Sequence, residues 1–457
     1  MKKYDVIWIG TGQATGETVP KLAKAGKEIA ILEGGPFGGS CVNFGCTPTK
    51  TLVASARDAH MVRRSSDFGV NVEDFSVDFD RVMQRQNEIR HNNSKGLEKW
   101  LTDMDKVNVY KHYGRFIDEH TVQAGNETIS GESIVIHTGA KAREPEIPGL
   151  DVVDWLDNVR LLDLKERPEH LLIIGGSYIG LEFGQALSRF GCEVTILDKG
   201  SQLIFREDKD IADTAQKILQ NEGVAVELNA AIREVKAVDG GVRVIYRQNE
   251  EQKSVQGSHL LVGAGRRPNT DFLNLKAIDI ETDKRGHIVV NNVGQTSISH
   301  IYALGDVNGK GAFTHTSVND GQVFWDHYSE KGSRKIDDRI LIYALYMDPP
   351  LGRVGMSEKM ARESDKNVLM ATLPMEKVSR AIEKDETSGM IKLLVDADSE
   401  QFLGAAIFGT GGDELISTIA IFMYSKQSWK TFQQAVLPHP TVGEMLPFVL
   451  DALEPLK

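Results

Sequence analysis

Two of the three cysteines, Cys41 and Cys46, sit in the glycine-rich stretch GGPFGGSCVNFGCTPTK, residues 34–50. Thiols this close can open and close a disulfide, share a zinc ion, or lie inert in a core. Zinc usually takes four ligands, and no second Cys or His cluster is in sight to complete such a set. Disulfide exchange requires the two sulfurs to meet. Residues five apart in a regular helix are separated by about 7.5 Å along its axis, beyond the roughly 7 Å Cα limit for a disulfide. The spacing therefore predicts a helix that is broken between the cysteines. Gly38, Gly39 and Gly45 supply permissive backbone, and Thr47-Pro48 reads as an N-cap and first helical residue. A helix beginning near Cys46 would lower that thiol's pKa through its exposed amides and dipole.

A second reactive constellation lies near the other end of the chain. In LPHPTVGEMLP, His439 is flanked by Pro438 and Pro440, which fix the backbone around its imidazole. A histidine of near-neutral pKa suits proton exchange with thiols, and Glu444 can orient the ring. Glu182 sits on an apolar helix start, where an unpaired carboxylate would be costly. Asp306 follows Gly305 at a strand end, where a carboxylate could hold a ligand hydroxyl. Cys192, in RFGCEVTIL, reads as a small core residue. His60, His315 and His327 have no assigned role, although His315 in FTHTS lies near a predicted nucleotide segment.

The elements that must position these groups are two dinucleotide-binding units. YDVIWIGTGQATGETVPKLAKAGKEIAILE runs strand, glycine turn, helix and second strand, ending on Glu33. Gly10 and Gly12 allow a tight turn and close approach of a pyrophosphate to a helix N-terminus, and Glu33 can accept hydrogen bonds from a ribose. Thr15 replaces the third glycine, which predicts a slightly wider helix–strand spacing, and Pro20 removes one helix donor. The second copy, HLLIIGGSYIGLEFGQALSRFGCEVTILD, has Gly175 and Gly180 at the first and third positions and ends on Asp198. A carboxylate there repels a 2′-phosphate and favours NADH, although Lys199 and Arg206 could reach such a phosphate and serve NADPH. Helices are expected over 48–66 and 79–104. HLLVGAGRRPNT and HIYALGDVNG read as short buried strands entering glycine turns, and the Pro145–Gly149 stretch as a domain crossing. From about residue 337 alternating strands predict a separate α+β domain.

At 457 residues the chain exceeds a single core and is expected to form three or four modules. Its net charge of −12, without a basic stripe, argues against nucleic acid. No apolar run reaches the roughly 18 residues of a membrane helix, and the short apolar start ending at Gly10 is a strand rather than a signal segment. A cytoplasmic protein is expected, where a close cysteine pair is catalytic, redox-sensing or metal-binding rather than structural.

The motifs GTGQAT, GGSCVNFGCTPTK, HTGA, GGSYIGLEFG, GRRPNT, ALGDV and HPTVGE occur in the order found in the flavin-dependent pyridine nucleotide–disulfide oxidoreductases, which this chain resembles over essentially its whole length. The resemblance implies an α/β fold with FAD-binding segments 1–149 and 266–336, an NAD(P)-binding domain at 150–265 and a dimerisation domain at 337–457. It implies FAD on Gly10, Gly12, Glu33, Gly39, Ser40, Lys50, Thr138, Gly139, Gly265 and Asp306, and NAD(P)H on Gly175, Tyr178, Gly180 and Asp198. By the same resemblance Cys41 exchanges with substrate, Cys46 contacts the flavin, and Lys50 pairs with Glu182 beside it. Tyr178 covers the nicotinamide side, or is an ordinary core aromatic. His439, oriented by Glu444, acts on the cysteines of the other subunit of a homodimer.

Within that family GTGQA, CVNFGCTPTKTLVASAR and DPPLGRVGMSE look most like the mercuric-reductase-like subgroup. The chain nevertheless ends DALEPLK with no cysteine after Cys192, and it has His439 where mercuric reductases commonly carry tyrosine. A metal ion needs thiolates to hand it inward, whereas a disulfide needs an acid for its leaving thiol. A thiol or disulfide substrate of the dihydrolipoyl type is therefore expected, with a mercuric-reductase-like reduction of a metal or oxidant as the alternative.

Overall fold

The apolar runs along the first strand (Lys2–Ile9) place Ile7 and Ile9 in one core and Val6 and Trp8 in another. All four are at most 2% exposed, as expected for a central parallel strand covered on both faces. The strand lies between Ile29–Leu32 and Glu127–Ile136, pairing parallel with both. Val107–Tyr110 extends this sheet on one side. On the other, the antiparallel pair Gly114–Asp118 and Thr121–Ala124 continues it. Its last parallel strand, Ile301–Ala303, pairs with Glu127–Ile136 and brings a distant part of the chain back. This computed structural model describes residues 1–456.

The second sheet is wholly parallel, in the order 225–227, 193–197, 170–174, 259–262, 155–156. Its central strand, His170–Ile174, sends Leu171 and Ile173 to one core and Leu172 and Ile174 to the other. A three-stranded antiparallel meander, 231–257, covers one face; the sequence reading contained no counterpart to it. Ala140–Ala142 and Arg266–Pro268 pair antiparallel as the chain leaves and re-enters the first unit.

The C-terminal sheet is antiparallel and six-stranded, in the order 342–345, 351–355, 402–408, 390–396, 368–374, 454–455. One face packs Leu393, Ala405 and Ile407 against the helix Gly412–Ser425. Arg353 and Lys392 both neighbour Ala406 in register, and both side chains are buried. They meet Glu207, Asp208 and Asp210 of the second unit across the domain contact. Among the described residues no helix is long and apolar enough to cross a membrane.

Candidate active site

The predicted break between the cysteines is present. Cys41 lies in the short helix Gly39–Asn43, and Cys46 is the first residue of the long helix Cys46–Arg63. Gly45 between them turns at φ −142°, ψ −111°. The helix start corrects one expectation: Gly45, not Thr47, precedes the first turn, and Pro48 is its third residue. Proline is tolerated there because the first four amides have no intrahelical acceptor. The helices expected at 48–66 and 79–104 occupy Cys46–Arg63 and Phe79–Thr102.

Both thiols are free, Cys41 half-buried and Cys46 exposed. The hydroxyl of Thr314 donates to Cys41 Sγ at 2.9 Å and lies 3.4 Å from Cys46 Sγ. A hydrogen bond from Cys41, helped by the Thr314 hydroxyl and the Lys50 charge, pulls the Cys46 thiol down to about 6. The same bond, followed by burial, pushes Cys41 far up. One proton shared unequally thus makes Cys46 the thiolate and Cys41 the thiol at neutral pH.

Lys50, one helical turn past Cys46, donates to Glu182 Oε2 at 2.7 Å. The other oxygen of Glu182 accepts from the backbone N–H of Tyr346 at 2.9 Å, and the Lys50 ammonium lies 4.7 Å from the centre of the Tyr346 ring. Glu182 belongs to the second nucleotide helix, Tyr178–Arg189, whose first residue is Tyr178. The Tyr178 phenol donates to Glu207 Oε1 at 2.6 Å.

Both glycine turns have the geometry a dinucleotide requires. Gly10 and Gly175 have positive φ, and a Cβ on either would meet a carbonyl oxygen of a neighbouring strand end, at 2.4 Å from His137 and 2.7 Å from Gly263. A Cβ on Gly180 would lie 2.2 Å from the Gly175 oxygen. The helices behind the turns, Gln13–Lys24 and Tyr178–Arg189, carry no side-chain cap, so their first amides are not taken by side chains. Glu33 accepts from Thr11 N–H at 2.9 Å, Thr11 Oγ1 at 2.7 Å and Gly35 N–H at 2.8 Å, beside a cavity of about 290 Å³. Asp198 accepts at 2.6 Å from both Gly176 and Gly200 N–H. Uncapped amides beside an acidic strand end fit a pyrophosphate and a ribose in each unit.

Thr15 is fully buried, and its hydroxyl accepts from Trp8 Nε1 at 3.0 Å and lies 3.4 Å from His137 Nδ1. That pairing gives the hydroxyl at the third glycine position a place between helix and strand. Gly39 packs on Gly12: a Cβ on Gly39 would lie 3.2 Å from Gly12 Cα. Ser40 Oγ reaches Ala140 O at 3.5 Å. Thr138 donates to Asn269 O at 2.7 Å, and Gly139 O accepts from Asn269 N–H. Asp306 pairs with Arg266 at 2.5 Å, and Gly265 O accepts from Arg143 N–H.

His439 stands apart from this assembly. It is 71% exposed, its Nδ1 lies 3.0 Å from both Glu444 oxygens, and its Nε2 has no partner among the described residues. Cys192 is buried, as expected of a core residue. His315 is a structural tie, with Nε2 2.7 Å from Ile342 O and its ring stacked on Phe313. Thr314, Tyr346 and Glu207 escaped the sequence reading. Only FTHTS held a hint of the first, through the histidine beside it.

Residues 4–321 match the family described as pyridine nucleotide-disulphide oxidoreductase, and residues 342–448 match its dimerisation domain. The chain belongs to the pyridine nucleotide-disulphide oxidoreductases. It is an FAD-dependent enzyme of this class that uses NAD(P)H. Across 98% of both chains it is 35% identical to the probable pyridine nucleotide-disulfide oxidoreductase RclA of Escherichia coli strain K12. The mercuric reductase of Lysinibacillus sphaericus is 30% identical, over 97% of this chain and 81% of its own length. The dihydrolipoyl dehydrogenase of Geobacillus stearothermophilus is 30% identical, over 96% and 94%. A solved structure described as the Cu(II) complex of the HOCl-induced flavoprotein disulfide reductase RclA from Escherichia coli superposes with a TM-score of 0.90, at 34% identity and 99% coverage of both chains.

Proposed function

We propose that the chain is an NADH-dependent disulfide reductase in which Cys41 and Cys46 carry two electrons to a small thiol or disulfide substrate. FAD, when bound, supplies the two-electron relay between reduced nicotinamide and a disulfide. The observation that carries this reading is the unequal thiol pair at the start of Cys46–Arg63, with Thr314 against both sulfurs.

The chemistry follows from that inequality. Cys41 holds its proton, so a base must remove it before it attacks, and the free Nε2 of His439 suits that task. The Cys41 thiolate attacks one sulfur of R–S–S–R′, forming Cys41–S–S–R as the substrate bond breaks. The leaving R′S⁻ takes the proton from His439. Cys46, already a thiolate, then attacks Cys41 Sγ, closing the Cys41–Cys46 disulfide and releasing RS⁻. Two electrons have passed from the dithiol to the substrate. Lys50, held by Glu182, places a positive charge beside the reacting thiolate.

In this reading Gly10, Gly12, Glu33, Gly39, Ser40, Thr138, Gly139, Gly265 and Asp306 hold FAD, and Gly175, Tyr178, Gly180 and Asp198 hold NADH. The domains are 1–149 with 266–336, 150–265 and 337–457. The protein is a cytoplasmic homodimer in which the partner subunit's His439 serves each dithiol. The dimerisation-domain match and the exposure of His439 on its own chain support that arrangement.

Anaerobic titration with NADH and NADPH, followed by turnover with lipoamide and glutathione disulfide, tests the reading. NADH should bleach the flavin and drive disulfide reduction, and Cys41→Ser should abolish the second but not the first. Disulfide turnover that survives Cys41→Ser overturns it. A second reading, reduction of a metal ion by the same dithiol, draws support from the Cu(II) complex of the relative. It predicts NADH-driven reduction of Cu(II) or Hg(II) that exceeds the disulfide rate and survives His439→Gln.

A further inference from the structure

The third glycine position of the first nucleotide turn holds Thr15, and its hydroxyl belongs to a buried hydrogen-bonded chain beneath that turn. The chain joins Trp8 of the first strand, Thr15 of the helix Gln13–Lys24, His137 just past the strand Glu127–Ile136, and Ser317 of the helix Thr314–Tyr328. Trp8 and Thr15 are 0% exposed, His137 4% and Ser317 6%. The chain runs in one direction. An indole N–H can only donate, so Thr15 Oγ1 accepts it at 3.0 Å and turns its own proton toward His137 Nδ1 at 3.4 Å. A neutral imidazole that accepts on Nδ1 carries its proton on Nε2, which donates to Ser317 Oγ at 2.9 Å. Burial lowers the pKa of this ring to about 4, so it is neutral at neutral pH.

His137 meets two separate segments of the first unit. A Cβ on Gly12 would lie 2.7 Å from its ring, and one on Gly10 would lie 2.4 Å from its carbonyl oxygen. Its N–H donates to Ile9 O at 2.7 Å, which pins its backbone to the strand that feeds the glycine turn. A Cβ on Gly305 would lie 2.9 Å from Ser317 Oγ and 3.3 Å from the His137 ring. Gly305 precedes Asp306, and its N–H donates at 2.8 Å to Asp320 Oδ2, on the same helix as Ser317. The ring is thus in contact with the glycine turn and with the Gly305 segment, while Thr15 and Ser317 tie it to two helices.

We infer that His137, held between Thr15 and Ser317, is a positioning residue that keeps the glycine turn of the first unit in its FAD-binding shape, so that threonine at the third glycine position is a working part of the site in this chain. The inference rests on the reading that FAD occupies the first unit. A third glycine ordinarily lets helix and strand pack closely. Here the Thr15 hydroxyl is the partner of both Trp8 and His137. Without it an indole N–H and an imidazole nitrogen are left buried and unpaired, which is costly for each. The ring then has no single preferred seat, and the two segments it touches lose their fixed separation. Apparent affinity falls with the fraction of molecules whose turn stays competent. Restoring glycine at position 15 should therefore weaken FAD binding.

FAD release from the holoenzyme, followed by the rise of free-flavin fluorescence on dilution, tests this in Thr15→Gly, Thr15→Val and Thr15→Ser. The expected result is an FAD dissociation constant raised about tenfold in Thr15→Gly and Thr15→Val, and within about threefold of the parent in Thr15→Ser, which keeps the hydroxyl. With FAD saturating, flavin reduction by NADH should stay within about twofold of the parent in all three, because the second unit is untouched. A dissociation constant in Thr15→Gly equal to or below the parent's overturns the inference, since glycine would then fill the position at least as well. So does a Thr15→Ser as weak as Thr15→Val, which would place the effect in packing rather than in the hydroxyl. Should neither Thr15→Gly nor Thr15→Val fold, Ser317→Ala, which removes the acceptor from His137 Nε2, takes their place. It should raise the constant at least about threefold, and an unchanged value overturns the inference. Parent protein that binds no FAD would instead overturn the functional reading itself.

Discussion

Lys50 Nζ donates to Glu182 Oε2 at 2.7 Å, and this bond ties the helix that begins at the dithiol to the helix that begins at the second glycine turn. Glu182 is 7% exposed on its side chain, so its charge is balanced almost wholly by Lys50 and by the Tyr346 N–H. Lys50→Met removes a fixed positive charge from beside the dithiol. It should slow NADH-driven turnover by roughly 10²–10³-fold, the usual loss for a preorganised electrostatic group. Steady-state assay under saturating NADH checks this; a loss under about threefold would assign Lys50 to packing alone.

The reduced protein should show one thiol of low pKa. Cys46 is a thiolate above about pH 6 and is protonated below it, so alkylation of the reduced enzyme should fall through a midpoint near pH 6. Cys46→Ser should remove that transition. Iodoacetamide kinetics across pH 4.5–9, with the modified peptide identified, measure it. A midpoint near the ordinary thiol value would contradict the arrangement of Cys41, Thr314 and Lys50 around Cys46.

His439 separates the two halves of turnover. Its Nδ1 is occupied by Glu444, which leaves Nε2 to exchange protons with thiols. His439→Gln should cut disulfide turnover by about 10²–10⁴-fold, the range for general acid–base catalysis, while flavin reduction by NADH is unchanged. Glu444→Gln should fall between the parent and His439→Gln. Equal damage to both half-reactions would point to a structural role.

His137 makes stability depend on acid. It is wholly buried beneath the first glycine turn, with Nε2 2.9 Å from Ser317 Oγ, and burial lowers its pKa to about 4. Its folded value lies below the unfolded value of 6.5, so its neutral form favours the native state above pH 6.5 and that contribution is lost as pH falls from 6.5 toward 4. The loss is on the order of 3 kcal/mol. Denaturation midpoints at pH 7.5, 5.5 and 4.5 should fall in step, and His137→Gln should flatten the trend.

Lys392 is the keystone cation of the contact between the second nucleotide unit and the C-terminal sheet. Its side chain is 0% exposed, with Asp210 Oδ2 and Glu358 Oε2 each at 2.7 Å and Asp208 Oδ2 at 3.5 Å. Lys392→Met leaves three carboxylates crowded without it and should cost about 3 kcal/mol, read as a lowered unfolding midpoint.

Much of the fold was legible because its signals are local. Parallel strands buried on both faces read as short apolar runs, and a tight turn onto a helix demands glycine where a Cβ would strike backbone, as at Gly10, Gly175 and Gly180. The meander at 231–257 left no comparable mark, because half-exposed antiparallel strands on a sheet face carry a weak alternating pattern.

By itself the sequence determined the two nucleotide units, the acidic strand ends Glu33 and Asp198, and the need for a break between Cys41 and Cys46, since each follows from the sterics of a few neighbouring residues. The helix start already marked Cys46 as the thiol of lowered pKa; only the tertiary structure decided which groups stand around the pair and set that inequality. Thr314 is 273 residues from Cys41, Glu182 is 132 from Lys50, and Tyr343 is 136 from Glu207. Those partners meet because the second unit is inserted before the first sheet receives its last strand at Ile301–Ala303, and because the C-terminal sheet closes against both. No local pattern encodes such a meeting; it exists only once sheets, insertions and domain faces have packed.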